Sequence, residues 1–238
     1  MSKINFLKEG LFLNKKISAG RLAIQLILSL VIVLFIISFS VVFTLNFRPL
    51  YYFDMEYLSI SEMSGYTNAQ IKENYNALID YNSMFNHDPL NFPSLTMSEN
   101  GRIHFEEVKE IFVAVQYICI FTFILGLAGI LWQRRYQNHL YLGLTAILTI
   151  AIPLGLGMVI SLNWEQSFVT FHHIFFDNDY WIFDAATDPV ITILPDTFFF
   201  HCALMILAGI LLGCTICSIF YFYFRKKEKN HAQETASN

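Results

Sequence analysis

Charged residues are scarce in this chain, and the motifs of the common soluble enzyme classes are missing from it. Of its 238 residues only 14% are charged, whereas 55% are hydrophobic. The mean hydropathy of +0.48 excludes an ordinary soluble protein and predicts a polytopic membrane protein. The sequence contains no Walker loop, no G-x-G-x-x-G, no G-x-S-x-G and no H-E-x-x-H. The chain therefore lacks the sequence motifs that phosphate-binding, nucleotide-binding and zinc-protease sites require.

Cysteine is also rare, and its placement argues against redox chemistry. All four cysteines lie inside apolar runs, where a thiol behaves as a small hydrophobic side chain. Cys214 and Cys217 form a C-x-x-C, but apolar or small residues flank both of them. We therefore predict that this pair occupies packing positions on one helix face rather than a reactive site at the aqueous rim.

Four long runs contain no Asp, Glu, Lys or Arg, and they span about residues 22–45, 111–132, 140–162 and 197–224. At ~1.5 Å of rise per residue, each is long enough to cross a hydrocarbon core of ~30 Å as a helix. The first run is longer than the ~7–15 residues of a signal-peptide core and ends without an A-x-A-like site, so we interpret it as a retained span. The sequence predicts an all-α membrane protein with four transmembrane helices in one domain.

The distribution of basic residues predicts the orientation of these helices. Eleven of the fifteen Lys and Arg residues lie in the N-terminal segment, the 134–135 turn and the C-terminal tail, and only four lie in the two large loops. The positive-inside rule then places both termini in the cytoplasm, with loops 46–110 and 163–196 outside. These loops are expected to form an extracytoplasmic cap of loops and short helices. No nucleic-acid partner is implied.

The first large loop carries its own helix signals. Thr67 is a candidate N-cap for a short amphipathic helix over 67–83, with apolar side chains at Ile71 and Tyr75 and one turn further on. Two prolines make 86–94 a loop. Ser98 is the candidate N-cap of a second helix, which runs without a break into the apolar run that starts at Ile111.

The second large loop combines many titratable groups with aromatic side chains and has no Lys or Arg. It contains His172 and His173 together with six carboxylates: Glu165, Asp177, Asp179, Asp184, Asp188 and Asp196. Its Phe, Tyr and Trp residues are typical of a segment in the headgroup layer. A metal site built from the two histidines and nearby acids is conceivable, but adjacent histidines on one element point in different directions. We therefore expect neither a metal nor a cofactor.

His104 in the first loop shares a helix face with Glu107 at i+3. Glu107 is then a candidate to orient the His104 imidazole and to hold its tautomer, as a general base requires. The alternative is an interfacial helix with a solvated acidic face, and spacing alone does not decide between the two.

Several segments, in their order and spacing, resemble a known membrane-enzyme family. SENGRIHFEEVK (98–109), FHHIFF (171–176), W-x-F-D (181–184) and TDPVITILPDTFF (187–199) resemble the bacterial lipoprotein intramolecular transacylases. The resemblance covers nearly the whole chain. It implies an acyltransferase that moves the sn-2 acyl chain of a lipoprotein's diacylglyceryl-cysteine to the α-amine of that cysteine, giving a lyso-form.

The resemblance also implies which residues act. The family's two essential histidines fall on His104 and His172, although the adjacent His173 leaves an ambiguity. Asp184 or Asp188 is expected to orient His172.

Three further supporting residues are expected at the site. Arg48 and Lys109 are candidates to contact glycerol or headgroup oxygens, and Trp181 of the W-x-F-D segment is counted with them. The expected partners are the diacylglyceryl-modified lipoprotein N-terminus and membrane lipid.

Two other functions stay open at the level of sequence. The first is a non-enzymatic membrane accessory or sensor whose outer loops bind a partner or a lipid. The second is a transporter, for which spans without charged residues offer no evident ion path.

Overall fold

The computed structural model describes residues 18–136 and 139–237, and within these residues it contains helices, turns and loops but no strand. The helices are α1 (Ala19–Asn46), α2 (Arg48–Tyr57), α3 (Ile60–Ser64), α4 (Asn68–Tyr81), α5 (Glu99–Gln133), α6 (Leu140–Leu162), α7 (Trp164–Phe175), α8 (Val190–Ile193) and α9 (Asp196–Ser237), and a 3₁₀ turn (Arg134–Tyr136) follows α5. Most of the basic N-terminal segment that the sequence assigns to the cytoplasm lies outside the described residues.

Among the described residues, three helices are long and apolar enough to cross a membrane by length and composition: α1, α5 with its 3₁₀ turn, and α9 as far as Glu228. Helix α6 has 23 residues. Its apolar part within the described residues, Leu140–Ala151, is shorter than a span. The all-α membrane fold is therefore as predicted, and the count of four spans stays a prediction.

Helix α1 is the centre of the membrane bundle. It packs against α5, α6 and α9, and α9 also packs against α6. In the most apolar stretch of α1, 39% of the residues are buried, whereas the buried share of the corresponding stretch is 11% in α5 and 17% in α9. Leu28, Ile32 and Ile36 of α1 form a core cluster with buried residues of α6 and α9. Because these three residues recur every four positions, they present one face of α1 to its neighbours.

Close approach between α1 and α9 depends on a small residue. A Cβ at Gly213 would lie 2.6 Å from the Ile36 side chain, so only glycine allows this helix spacing. Cys214 and Cys217 are both free thiols, buried in the same cluster. The prediction that they are packing positions is confirmed.

The cap is one packed structure built from both large loops. Its core joins α2, α3 and α4 to α8 and the start of α9. The rings of Tyr51 and Tyr75 stack with centroids 3.7 Å apart, and the ring of Phe198 meets Tyr51 edge-on. The Tyr51 hydroxyl donates to the Ile193 carbonyl at 2.7 Å. The two loops are thereby fixed to each other although they lie far apart in sequence.

Helix signals in the first loop are confirmed. Helix α4 begins with a capping box between Thr67 and Gln70, and Ile71 and Tyr75 point into the cap core. Ser98 caps α5, which continues without a break into the apolar run.

The second large loop, which is polar and aromatic in sequence, contains two helices, α7 and α8. Asn163 accepts a hydrogen bond from the Gln166 backbone and starts α7, which carries both histidines. The side chains of His172 and Phe176 are buried, whereas Phe171 and Phe175 are exposed. The helix therefore turns one aromatic face inward and leaves another exposed.

Candidate active site

The start of α5 is locked to the second loop by a buried carboxylate. Asp188 is 3% exposed, and its Oδ1 accepts a hydrogen bond from the Ser98 N–H at 2.7 Å. Ser98 in turn accepts from the Gly101 N–H at 3.0 Å. A Cβ at Gly101 would lie 2.2 Å from Asp188 Oδ1, so glycine is required for this contact. This contact fixes the helix that carries His104.

His104 and His172 meet at the junction of α5 and α7. Their ring centroids are 6.0 Å apart, and their exposed fractions are 5% and 8%. The Phe176 ring lies against both, with centroids 4.8 Å from His104 and 5.7 Å from His172. The Phe183 ring packs edge-on against His104 at 5.5 Å. Two imidazoles from distant parts of the chain thus share one aromatic enclosure.

A backbone carbonyl fixes the tautomer of His172. Its Nδ1 lies 2.8 Å from the Phe168 carbonyl oxygen. Because a carbonyl only accepts, Nδ1 carries the hydrogen and Nε2 of the neutral ring carries the lone pair. The Trp181 indole stacks on the ring with a centroid distance of 4.5 Å.

Asp184 and Asp188, the carboxylates expected to orient His172, form hydrogen bonds with other groups. Asp188 holds Ser98 and the Thr187 hydroxyl, and Asp184 accepts from the Ala186 N–H in its own turn. Among the described residues neither Asp184 nor Asp188 is hydrogen-bonded to His172, whose Nδ1 lies against the Phe168 carbonyl.

The Glu107 carboxylate likewise forms its hydrogen bond with a residue other than His104. Its Oε1 accepts from the Asn178 side-chain amide at 2.8 Å. Within the described residues, Glu107 Oε2, His104 Nδ1 and Trp181 Nε1 are all buried without a hydrogen-bond partner. The expected Glu107–His104 hydrogen bond is therefore not formed. Buried polar atoms are normally paired, so these three atoms are groups around the enclosure that a polar substrate can satisfy when it binds.

Burial favours the neutral form of both imidazoles. His104 precedes the uncharged run that begins at Ile111, and α7 lies in the second large loop, so neither group belongs to a predicted span. Burial, with the nearby His172 adding to it, lowers the pKa of His104 to about 4. Burial also lowers the pKa of His172, and the hydrogen bond to the Phe168 carbonyl opposes that effect.

The remaining candidates lie around the enclosure or away from it. His173 is exposed, and its ring meets the Trp181 ring edge-on at 5.6 Å. Arg48 bonds Asn76 and Asp80 in the cap, and Lys109 Nζ lies 4.0 Å from the Tyr81 ring centroid. Neither cation contacts His104 or His172 in the part of the chain that the structure describes.

Asn178 was not among the residues that the sequence singled out. Asn178 lies in a D-N-D segment after α7, and this composition predicts a turn. A turn prediction does not indicate which group the Asn178 side-chain amide binds.

A family model described as lipoprotein intramolecular transacylase Lit matches residues 26–199. The chain belongs to the Lit family. Membership makes it an acyltransferase, so the accessory-protein and transporter readings lose their support. A search among curated proteins gave no match.

Solved structures of the membrane-integral Lit from Bacillus cereus share this fold. One is 40% identical, with a TM-score of 0.85, and the match covers 87% of this chain and 96% of that one. A second, carrying a histidine-to-arginine substitution, is 36% identical over 96% of this chain and 99% of that one, with a TM-score of 0.82. A third, carrying a histidine-to-alanine substitution, is 37% identical over 94% of this chain and 99% of that one, with a TM-score of 0.81.

Proposed function

We propose that this Lit-family protein moves the sn-2 acyl chain of a lipoprotein's diacylglyceryl-cysteine to that cysteine's own α-amine and so makes the lyso-form. The observation that carries the proposal is the pair of buried imidazoles, 6.0 Å apart, in an enclosure with unpartnered polar atoms. Ester-to-amide transfer is downhill and needs no energy-coupling motif, in keeping with the sequence.

In this proposal the enzyme lies in the bacterial cytoplasmic membrane with both termini inside and the site at the outer surface. Support comes from the eleven-to-four distribution of basic residues and from the position of the site where the cap meets the bundle. A diacylglyceryl group held in the outer leaflet would then present its ester bonds at the level of the histidines.

His172 is the proposed proton carrier. Its Nε2 holds the lone pair because Nδ1–H is donated to the Phe168 carbonyl. As the α-amine nitrogen bonds to the ester carbon, one amine proton passes to His172 Nε2. When the bond between that carbon and the sn-2 oxygen breaks, the same proton passes to the oxygen. His172 is neutral again at the end, and an amide and a free sn-2 hydroxyl have formed.

His104 is the proposed oxyanion donor. With a pKa near 4 it stays neutral at physiological pH, so it does not compete for the amine proton. A neutral imidazole N–H directed at the tetrahedral oxygen stabilises the charge that develops there. The aromatic enclosure excludes water and strengthens that interaction. Both reacting groups belong to one substrate, so orientation supplies much of the rate; intramolecular reactions reach effective molarities of roughly 10⁵–10⁸ M.

His104→Ala and His172→Ala, made separately, test the proposal. Each purified variant is mixed in detergent with a diacylglyceryl lipopeptide, and the N-terminus is analysed by mass spectrometry. We expect each to lower lyso-form production by about 10²-fold or more, the size of a general acid–base contribution.

The matched control is His173→Ala, which removes the exposed neighbour of His172 on the same helix. It is expected to retain activity within about threefold, a difference of less than ~1 kcal/mol in barrier. Full activity in either His104→Ala or His172→Ala rules out the two-histidine mechanism, and an unchanged lipopeptide with the wild-type enzyme rules out the reaction.

A further inference from the structure

A groove of about 440 Å³ lies between α5 and the end of α7, and it is lined in part by Phe176, whose ring contacts both imidazoles. Three carboxylates line it, Glu107, Glu110 and Asp177, and its other walls include the apolar residues Ile111 and Ala114. A surface that combines several acids with apolar side chains at the edge of a membrane suits a ligand that is cationic at one end and apolar at the other.

Glu107 is the carboxylate that most needs such a ligand. One oxygen accepts from the Asn178 amide at 2.8 Å, and the other is buried without a partner among the described residues. A buried carboxylate oxygen that lacks a donor is costly, and the cost disappears when a charged N–H donor binds it. The amide of Asn178 also holds the carboxylate in place before any ligand arrives.

The protein's own cations do not fill this position. Arg102, the nearest arginine along α5, pairs with Glu99 and Glu106 on another face of the helix. Lys109 lies over the Tyr81 ring. In the region covered by the structure, no Lys or Arg forms an ion pair with any carboxylate of the groove. The positive charge must therefore come from the ligand.

The groove adjoins both the reacting groups and the lipid. Phe176 forms part of its wall, and the ring of the same residue lies 4.8 Å from His104. Below Glu107, the helix positions Ile111, Ala114, Ile118 and Phe121 follow one face of α5 at three- and four-residue steps. The last three of these are exposed, so the face is open to hydrocarbon beneath the groove.

We infer that Glu107 binds a primary ammonium carried by an acylated ligand, namely the α-ammonium of the lipoprotein's lipid-modified cysteine, while the acyl chains lie along α5. The inference rests on the proposed function for the identity of the ligand. It gives the groove a distinct role, which is to select a free N-terminus and to hold its nitrogen beside the imidazoles.

The proton balance is simple. The bound ammonium releases one proton to bulk water and becomes the neutral amine. The neutral amine then gives its second proton to His172 as the nitrogen–carbon bond forms, and the amide keeps the third. Glu107 neither gains nor loses a proton over the cycle.

A binding experiment with ligands that cannot react tests the inference. One ligand is a dialkyl-ether lipopeptide with a free α-amine, and the other is its des-amino analogue, in which hydrogen replaces the amine. Dissociation constants are measured for the wild-type protein and for Glu107→Gln in detergent micelles. We expect the wild type to prefer the free amine by roughly 10-fold or more, as for a hydrogen bond to a charged group. Glu107→Gln should bind the two ligands within about twofold of each other.

Glu106→Gln is the matched control, since it removes a carboxylate one position away that pairs with Arg102 outside the groove. It should keep the wild-type preference. Equal binding of both ligands by the wild-type protein overturns the inference without any variant, so a folding defect in Glu107→Gln does not obscure the result. A preference that survives in Glu107→Gln also overturns it.

Two further comparisons complete the test. If phosphatidylethanolamine in the micelle abolishes the preference where phosphatidylglycerol does not, the groove binds a lipid headgroup and the inference fails. Because the ether ligands carry no ester, their binding is independent of acyl transfer. Loss of the preference with lyso-form synthesis intact counts against the ammonium site alone, whereas a normal preference without synthesis counts against the proposed reaction alone.

Discussion

His172 and His173 are neighbours in sequence but differ in every property that acid–base chemistry requires. His172 is buried, stacks on Trp181 and donates Nδ1–H to a backbone carbonyl. His173 is exposed and meets only the edge of that indole. A tautomer that is fixed by a partner leaves one nitrogen free for the substrate, which is why the structure favours His172 over its neighbour.

The low pKa of His104 predicts acid sensitivity of the native state. Above about pH 6.5 the imidazole is neutral in both the folded and the unfolded chain. As pH falls from 6.5 towards 4, the unfolded chain takes up a proton that the folded chain does not accept, so stability decreases. One such site contributes up to ~1.4 kcal/mol per pH unit within that window. His172 acts in the same direction.

His104→Gln removes this linkage while keeping a polar side chain. We expect the unfolding temperature of the variant in detergent to fall less steeply between pH 6.5 and 4.5 than that of the wild type. Intrinsic tryptophan fluorescence during a thermal ramp provides the measurement. Parallel curves for the two proteins would show that His104 is not buried as a neutral group.

Helix α5 joins two environments, because its first turns belong to the cap and the rest lies in the membrane bundle. Its N-terminus is held by Ser98 and Asp188, and its lower part packs on α1. Because a helix is stiff, fixing its first turn also fixes His104, which lies only three residues beyond Gly101. Asp188 thus supports the site through α5 rather than through direct contact with an imidazole.

Gly101→Ala should disrupt this attachment. Alanine is a better helix former than glycine by ~1 kcal/mol, but its Cβ would lie 2.2 Å from Asp188 Oδ1, and Asp188 is buried and cannot move aside freely. Overpacking of this kind costs about 1–3 kcal/mol, so we expect a net loss of stability together with reduced lyso-form synthesis. Thermal unfolding and mass spectrometry of the lipopeptide product measure the two effects.

Gly20→Ala is the matched control, since nothing lies within 4 Å of a Cβ at that position. It should leave stability unchanged or slightly increased. If Gly101→Ala behaves in the same way, the contact with Asp188 does not constrain the start of α5.

In the molecule as a whole, the cap and the bundle are joined by a hydrogen-bonded pair, Asp54 and His201, as well as by apolar packing. Asp54 on α2 is completely buried, and its two carboxylate oxygens lie 2.8 Å and 2.9 Å from His201 Nδ1 on α9. The Tyr51–Phe198 contact lies one turn away on the same two helices. The enclosure of His104 and His172, the candidate active site, is made by elements that these contacts hold together.

Asp54→Ala removes the acceptor of that pair. We expect a loss of about 1.5–3 kcal/mol in the free energy of unfolding, the usual size for a hydrogen bond that involves a charged group. The comparison variant is Asp80→Ala, whose carboxylate pairs with Arg48 at the surface and should cost about 1 kcal/mol or less. Denaturant unfolding in mixed micelles compares them, and equal losses would show that the Asp54–His201 pair is not a special link between cap and bundle.

Much of the architecture was predictable because local patterns decide it. The start of α5 at Ser98 and the cap-facing side of α4 follow from capping residues and apolar spacing, which act within a few residues. Helix α7 was harder to predict. Its exposed face carries apolar side chains: Phe171, Ile174 and Phe175 are 48%, 71% and 52% exposed. The sequence of α7 therefore does not show the alternation of apolar and polar faces by which a surface helix is recognised.

The membrane class, the helix starts and, through the family resemblance, the two candidate histidines follow from the amino-acid sequence alone. The partners of those histidines depend on how the chain packs. A backbone carbonyl such as that of Phe168 leaves no side-chain signature, and the pairing of Glu107 with Asn178 joins residues 71 positions apart. The spacing of residues along the sequence predicts contacts within one helix. The protonation state of a buried group depends on all the residues that pack around it, including those from distant parts of the chain.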